Sequence, residues 1–152
     1  MPNSMALYSL IYVSNPIAPQ SAADLERLAD EAQSNNARLG VTGLLLYSGE
    51  HFCQVLEGDY PVLADLFARI EKDPRHGHVE VLLGTPIRLL FFPDWAMGVV
   101  DVSKSRHFDR AALRAICDRA EGQPQPADRA ALDMLYAFRS SPLRPRGVTR
   151  AA

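Results

Sequence analysis

The sequence predicts an α+β fold of the ferredoxin-like kind. This is a five-stranded mixed sheet with two helices on one face, followed by further helices. Three observations predict it. Runs rich in aromatic and branched residues alternate with two stretches of helical period, in the order β-α-β-β-α-β-β. Turn residues separate those runs at short intervals. Beyond Asp101 the strand-like residues vanish and only helical spacing remains.

Leu7 to Val13 (LYSLIYV) is strand-like and ends at Ser14, Asn15 and Pro16. Ser21 stands three residues before Asp24, a capping-box start. Leu25, Leu28, Ala29 and Ala32 follow at the spacing of one helix face, and the helix is expected to stop near Asn35 and Asn36, with Gly40 close behind. Val41 to Tyr47 reads as a buried strand, Ser48, Gly49 and Glu50 as a hairpin turn, and Phe52 to Leu56 as the returning strand. Alternation puts Phe52, Gln54 and Leu56 on one face and Cys53 and Val55 on the other. Gly58, Asp59 and Pro61 open a second helix with the stripe Val62, Leu63, Leu66, Phe67 and Ile70, ended by Asp73 and Pro74. Val79 to Leu83 and Ile87 to Phe92 are strand-like and split by Gly84, Thr85 and Pro86, and Trp95 to Val102 is the last strand candidate. Asp109 can cap a helix carrying Leu113, Ile116, Cys117 and Ala120, stopped by Gly122. Gln123 to Pro126 reads as a linker, and Ala131, Leu132, Leu135 and Phe138 as a last short helix stopped by Pro142. The organisation expected is therefore an α+β unit over 6–101, a helical appendage over 103–141 and a flexible basic tail over 142–152 holding Arg144, Arg146 and Arg150.

Composition narrows the function classes. The 152 residues, 47% of them apolar, suit one core. A formal charge of −2 offers no field to steer the chain to nucleic acid or an anionic membrane. No apolar run approaches the roughly 20 residues of a spanning helix, and Met1 to Ala6 lacks the pattern of a signal peptide. Cys53 and Cys117 are too few for a disulfide scaffold and read as buried thiols in a reducing compartment, so a cytoplasmic location is expected.

Motifs for phosphate loops, nucleophile elbows and zinc are missing, and the four histidines lack a ligand spacing, so no metal is expected. The segment Asp73 to His78 (DPRHGH) reads either as a solvated turn or as a site for a small anion or a polar ring edge. Three polar residues fall at positions that look buried: Tyr12, Asn36 and Gln54. A buried Gln must find partners or cost about 1–3 kcal/mol, and its carboxamide both donates and accepts. Taken alone, each reads more simply as structural: Tyr12 and Gln54 as core residues, Asn36 as a helix C-cap.

Together with the surrounding words they resemble the BLUF family of flavin-binding blue-light sensors. The matching stretches are LIYVS at 10–14, NNARLGVTGLLLYS at 35–48, FCQVLEG at 52–58, ARIEKDPRH at 68–76 and FPDWAMG at 92–98. The resemblance implies FAD with its isoalloxazine ring between the two helices that pack on the sheet. It implies that Tyr12 is the strand-one tyrosine, that Gln54 bridges it to the flavin, and that Asn36 bonds the ring edge with Asn35 beside it. It also implies that Arg69, Asp73, Arg75 and His76 lie along the cofactor, with Leu28, Leu66 and Ile70 as apolar walls. Trp95 and Met97 match the strand-five pair, one of which sits near the glutamine. By the same resemblance, light would drive an electron and a proton from Tyr12, and Gln54 would change its hydrogen bonds.

Two features depart from the family. Leu89 and Leu90 stand where many members carry Arg or Lys, and Cys53 stands for a more usual Phe or Leu. The first makes one surface more apolar, an interface or a packing site for the C-terminal helices. The expected output is a contact with a downstream signalling protein, with a homo-oligomer and no catalytic activity. Two competing readings are a small ferredoxin-like enzyme, such as an acyl-phosphate hydrolase using Arg75 and Asn36, and a light-independent adaptor.

Overall fold

The computed structural model describes residues 6–103 and 110–137. Five strands, β1 (Leu7–Pro16), β2 (Thr42–Tyr47), β3 (Phe52–Asp59), β4 (His76–Pro86) and β5 (Gly98–Asp101), form one sheet in the order β4-β1-β3-β2-β5. All pairs are antiparallel except β2 with β5. Helices α1 (Ala22–Leu39) and α2 (Tyr60–Glu71) cover one face, and α3 (Arg110–Glu121) and α4 (Pro126–Ala137) cover the other.

The period-two pattern of the strands explains why both faces are dry. Tyr12, Leu45, Phe52 and Leu56 point toward Leu25 and Ala29 of α1 and Leu63 and Leu66 of α2. Their neighbours Ile11, Val13, Leu44, Leu46, Cys53 and Val55 point the other way, toward Leu113, Ile116 and Cys117 of α3 and Met134 of α4. Each large apolar side chain so buried contributes roughly 1.5–3 kcal/mol. Polar contacts then orient α3 on β4. The Arg110 guanidinium donates to Glu80 at 3.1 Å, to Asn15 Oδ1 at 3.0 Å and to the His78 carbonyl at 2.6 Å, and Arg114 pairs with Glu80 as well.

The first helix begins as its capping box requires: Asp24 N–H donates to Ser21 Oγ and Ser21 N–H to Asp24 Oδ2. It does not stop at Asn35 and Asn36. It continues to Leu39 and ends on Gly40, whose left-handed φ of 70° closes the last turn. Arg38 donates to Asn35 Oδ1 at 3.0 Å, which holds that asparagine on the helix surface, while Asn36 turns inward. At α2, Asp59 takes the cap position without a side-chain cap bond, and β3 runs on to meet it.

The second half of the sheet differs more from expectation. β4 starts at His76, not Val79, so half of the segment read as a polar loop is strand, and Gly84 to Pro86 lie inside it. Ile87 to Phe92 is not a strand, because its backbone is claimed from elsewhere: Phe91 and Phe92 donate their N–H groups to the Glu57 carboxylate at 2.9 and 2.8 Å. Leu89 and Leu90 therefore lie in a turn-rich connection, with Leu89 78% exposed. Trp95 and Met97 precede β5 rather than belonging to it. Pro126 opens α4 instead of closing a linker. Asp109, Phe138, Pro142 and the basic tail lie outside the described residues.

Gly43 shows how tightly β2 meets β3. A Cβ there would lie 1.8 Å from the Val55 carbonyl oxygen, at a φ of 154° that side chains rarely adopt. Gly43→Ala is expected to cost about 3 kcal/mol or to prevent folding, measured as the drop in thermal midpoint.

Candidate functional site

A cavity of about 340 Å³ opens between α1 and α2 and is floored by the sheet. That size lies in the range of small-molecule sites. Its floor carries Tyr12 from β1, Leu45 from β2, and Phe52, Gln54 and Leu56 from β3, the face that strand alternation assigned to Gln54. One wall is the α1 face Leu28, Glu31, Ala32, Asn35 and Asn36, spaced as a single helical stripe. The opposite wall is Leu66, Arg69 and Ile70 of α2, with Asp73, Arg75 and His76 beyond its end. All ten residues expected along a cofactor, and Tyr12 with them, thus border one cavity.

The floor contains a directed hydrogen-bond chain. Tyr12 O–H donates to Gln54 Oε1, and Gln54 Nε2–H donates to Met97 Sδ at 3.4 Å. Tyr12 is 3% exposed, Gln54 7% and Met97 fully buried. Burial pushes the Tyr12 phenol well above its ordinary value, with lesser pushes from Cys53 and Asp73. A phenol that stays neutral keeps its proton to donate. That proton holds the Gln54 oxygen toward Tyr12 and leaves the amide N–H₂ for the sulfur. Phe67 and His76 pack around the Tyr12 ring at centroid distances of 5.4 and 6.3 Å.

Asn36 is 3% exposed and lines the cavity. A carboxamide both donates and accepts, so Asn36 can meet a polar ring edge in the cavity. The Arg69 guanidinium is outside the ion pairs formed among the described residues. Arg75 is committed: it bonds Asp73 at 2.7 Å and reaches Glu31 of α1 at 3.2 Å, joining the two walls. Its hydrogen bonds hold the Asp73 carboxyl below the usual range. His76 is committed too. Its Nε2 donates to the Ile70 carbonyl at 2.6 Å, and its Nδ1 meets Ser14 Oγ at 2.7 Å. The ring therefore lends its edge and face to the cavity, not a free nitrogen. Apolar walls with amide and guanidinium groups on them suit a flat heteroaromatic ring with polar edges.

Trp95 and Met97 part company. Met97 joins the core on the cavity side, and its carbonyl accepts from Gln33 of α1 at 3.2 Å. Trp95 packs on the far core, stacked on Phe92 at 5.1 Å. Sequence reasoning missed the polar Glu31 and Gln20 on the lining and the apolar Ala32, Leu45, Phe52 and Leu56. Glu31 could have been found from its place three residues after Leu28 and four before Asn35, whereas Gln20 precedes the helix and carried no periodic signal.

Since the folded phenol holds its proton more tightly than the unfolded one, its share of stability is whole below about pH 10 and is lost as pH rises beyond. A tyrosinate absorbance titration should therefore be the same for the parent and Tyr12→Phe until alkaline unfolding begins.

The family described as BLUF, sensors of blue light using FAD, matches residues 7–98. The chain is similar to photoactivated adenylate cyclase subunit beta of Euglena longa, 36% identical over 92 residues, or 60% of this chain and 11% of that protein. It is also similar to the blue light- and temperature-regulated antirepressor BluF of Escherichia coli (strain K12), 35% identical over 77 residues, or 51% of this chain and 19% of that one. The dark-state structure of BlrB, a BLUF protein, superposes with a TM-score of 0.61 at 35% identity, covering 88% of this chain and 98% of that one. The chain spans about a tenth of the cyclase relative's length, 11%. With a matched family span over most of its length and a solved relative followed nearly end to end, the chain belongs to the BLUF family, the blue-light sensors that use FAD.

Proposed function

We propose that the cavity between α1 and α2 holds the FAD ring, and that Tyr12 and Gln54 are the groups that convert light into a change of hydrogen bonding. The observation that carries this reading is the buried chain from Tyr12 through Gln54 to Met97 on the cavity floor. Asn36 would bond the ring edge through its carboxamide, with Asn35 beside it. Arg69, Asp73, Arg75 and His76 would line the cofactor beyond α2, and Leu28, Leu66 and Ile70 would hold it between apolar surfaces. Bound FAD supplies the absorption of blue light and an acceptor for one electron.

The residues do the rest. With FAD bound as the electron acceptor, Tyr12 would give up an electron and its hydroxyl proton, the proton leaving along the bond to Gln54 Oε1. On their return Gln54 would be left rotated or tautomerised, with its bonds to Tyr12 and Met97 changed. No bond is made or broken in net, which is the behaviour of a switch and not of an enzyme. The sensor unit would be 6–101 and the appendage 103–141. The change would leave through α3 and α4, on the reverse side of the strand that carries Gln54, to a downstream protein in the cytoplasm or to a second copy of this chain. The E. coli relative, named as an antirepressor, offers a precedent for regulation of this kind.

The purified chain should be yellow, and blue light should shift its absorption to the red, reversibly in the dark. A protein that cannot be loaded with FAD would sink the proposal, and turnover of an acyl phosphate without light would favour the enzyme reading. Tyr12→Phe and Gln54→Leu should each bind FAD and lose the shift, as read from difference spectra. Asn36→Ala should weaken FAD binding about tenfold, the effect of removing roughly 1–2 kcal/mol of buried hydrogen bonding.

A further inference from the structure

Glu57 is a buried carboxylate, 1% exposed, that the photochemical reading leaves unused. It lies three residues after Gln54 on β3 and points to the opposite face of the sheet. A carboxylate is rarely so buried without strong partners. Glu57 has three: the consecutive N–H groups of Phe91 and Phe92 at 2.9 and 2.8 Å, and the Thr42 hydroxyl at 3.3 Å. Burial raises its carboxyl above the ordinary range, while these donors pull the other way. The carboxyl of Asp128 on α4 faces it from the helical layer, and Ser9 stands opposite it in the β1–β3 register.

The segment that Glu57 holds is the one that delivers Met97. From Phe92 the chain turns, with Trp95 N–H donating to the Phe92 carbonyl at 3.2 Å. The Trp95 carbonyl then accepts from Gly43 of β2 at 3.0 Å, and two residues later Met97 presents its sulfur to Gln54. This connection has no strand pairing of its own between Ile87 and Met97, so its course depends on such pins. We infer that Glu57 is a positioning residue of the light switch, which fixes the 87–97 connection so that Met97 meets the Gln54 amide and thereby sets the lifetime of the switched state. The lifetime half of this inference rests on the FAD reading above; the placement half does not. With the pin loosened, Gln54 loses the sulfur that favours its dark orientation, and return from the light state slows.

The test uses the full chain with Glu57→Gln, which sets an amide N–H₂ against backbone N–H groups, and with Thr42→Val, which removes one donor and keeps a branched strand residue. Methionine methyl resonances are recorded in the dark, with Met97 assigned by its loss in Met97→Leu. Dark recovery is followed by absorbance after FAD loading. The Met97 methyl should move or broaden in both variants, and recovery should slow about threefold or more, within the range by which coupling mutations act. A Met97 methyl at its parent position in both variants overturns the inference even if the thermal midpoint falls, because that is a structural role alone. Unchanged or faster recovery in a variant that still gives the red shift overturns it too. If the parent shows no red shift, the FAD reading fails, and the Met97 resonance still decides the placement. Should Glu57→Gln not fold, Thr42→Val decides both.

Discussion

β1 and β3 run antiparallel with Tyr12 directly across from Gln54, at the centre of the sheet and on the side where α1 and α2 pack. Side chains that share a pair and a face meet without effort, so the register alone brings phenol and carboxamide into contact. A slip of one residue would turn Gln54 into the opposite core and put Cys53 or Val55 on the cavity floor. The apolar neighbours of each residue forbid that slip: Ile11 and Val13 need the α3 side as much as Phe52 and Leu56 need the α1 side. The packing of two cores thus enforces the hydrogen bond on which the site is built.

β3 is the wall common to both halves of the molecule. Above it lie Gln54, the cavity and Met97; below it lie Cys53, Val55 and Glu57 with the C-terminal helices, Phe92 and Trp95. A change at Gln54 reaches Met97 directly through one hydrogen bond, and Met97 is tied back to α1 through Gln33. Arg110 anchors α3 to β4 only two residues beyond His76, which packs against the Tyr12 ring. Tyr12 and Gln54 thus lie on the sheet whose other face packs against α3 and α4.

Electrostatics sort the polar groups by task. Groups whose bonds are closed within the chain, such as His76 and the Arg75–Asp73–Glu31 set, shape the cavity. Exposed ion pairs of that kind contribute little stability, about 0–1 kcal/mol each, so their value is in joining the walls. Asn36 lines the cavity with a carboxamide that can both donate and accept.

Much of this was legible in the residues. Alternation in FCQVL put Gln54 on the face of Phe52 and Leu56, the capping box at Ser21 started α1, and the stripes at 113, 116, 117 and 120 placed the buried side of α3. Those signals are local, carried by side chains a few positions apart, which is why sequence alone determined the element order and the family words that surround Tyr12, Asn36 and Gln54. What it did not determine depends on partners far along the chain. The run from Ile87 to Phe92 has strand composition, yet it follows a carboxylate 34 residues back at Glu57. Asn36 looks like a helix end, yet Gly40 closes the helix and leaves the amide facing a cavity. Trp95 and Met97 lie two apart in a segment with no regular period, so only the tertiary structure, through the Glu57 and Gly43 contacts, decided that the sulfur and not the indole meets Gln54.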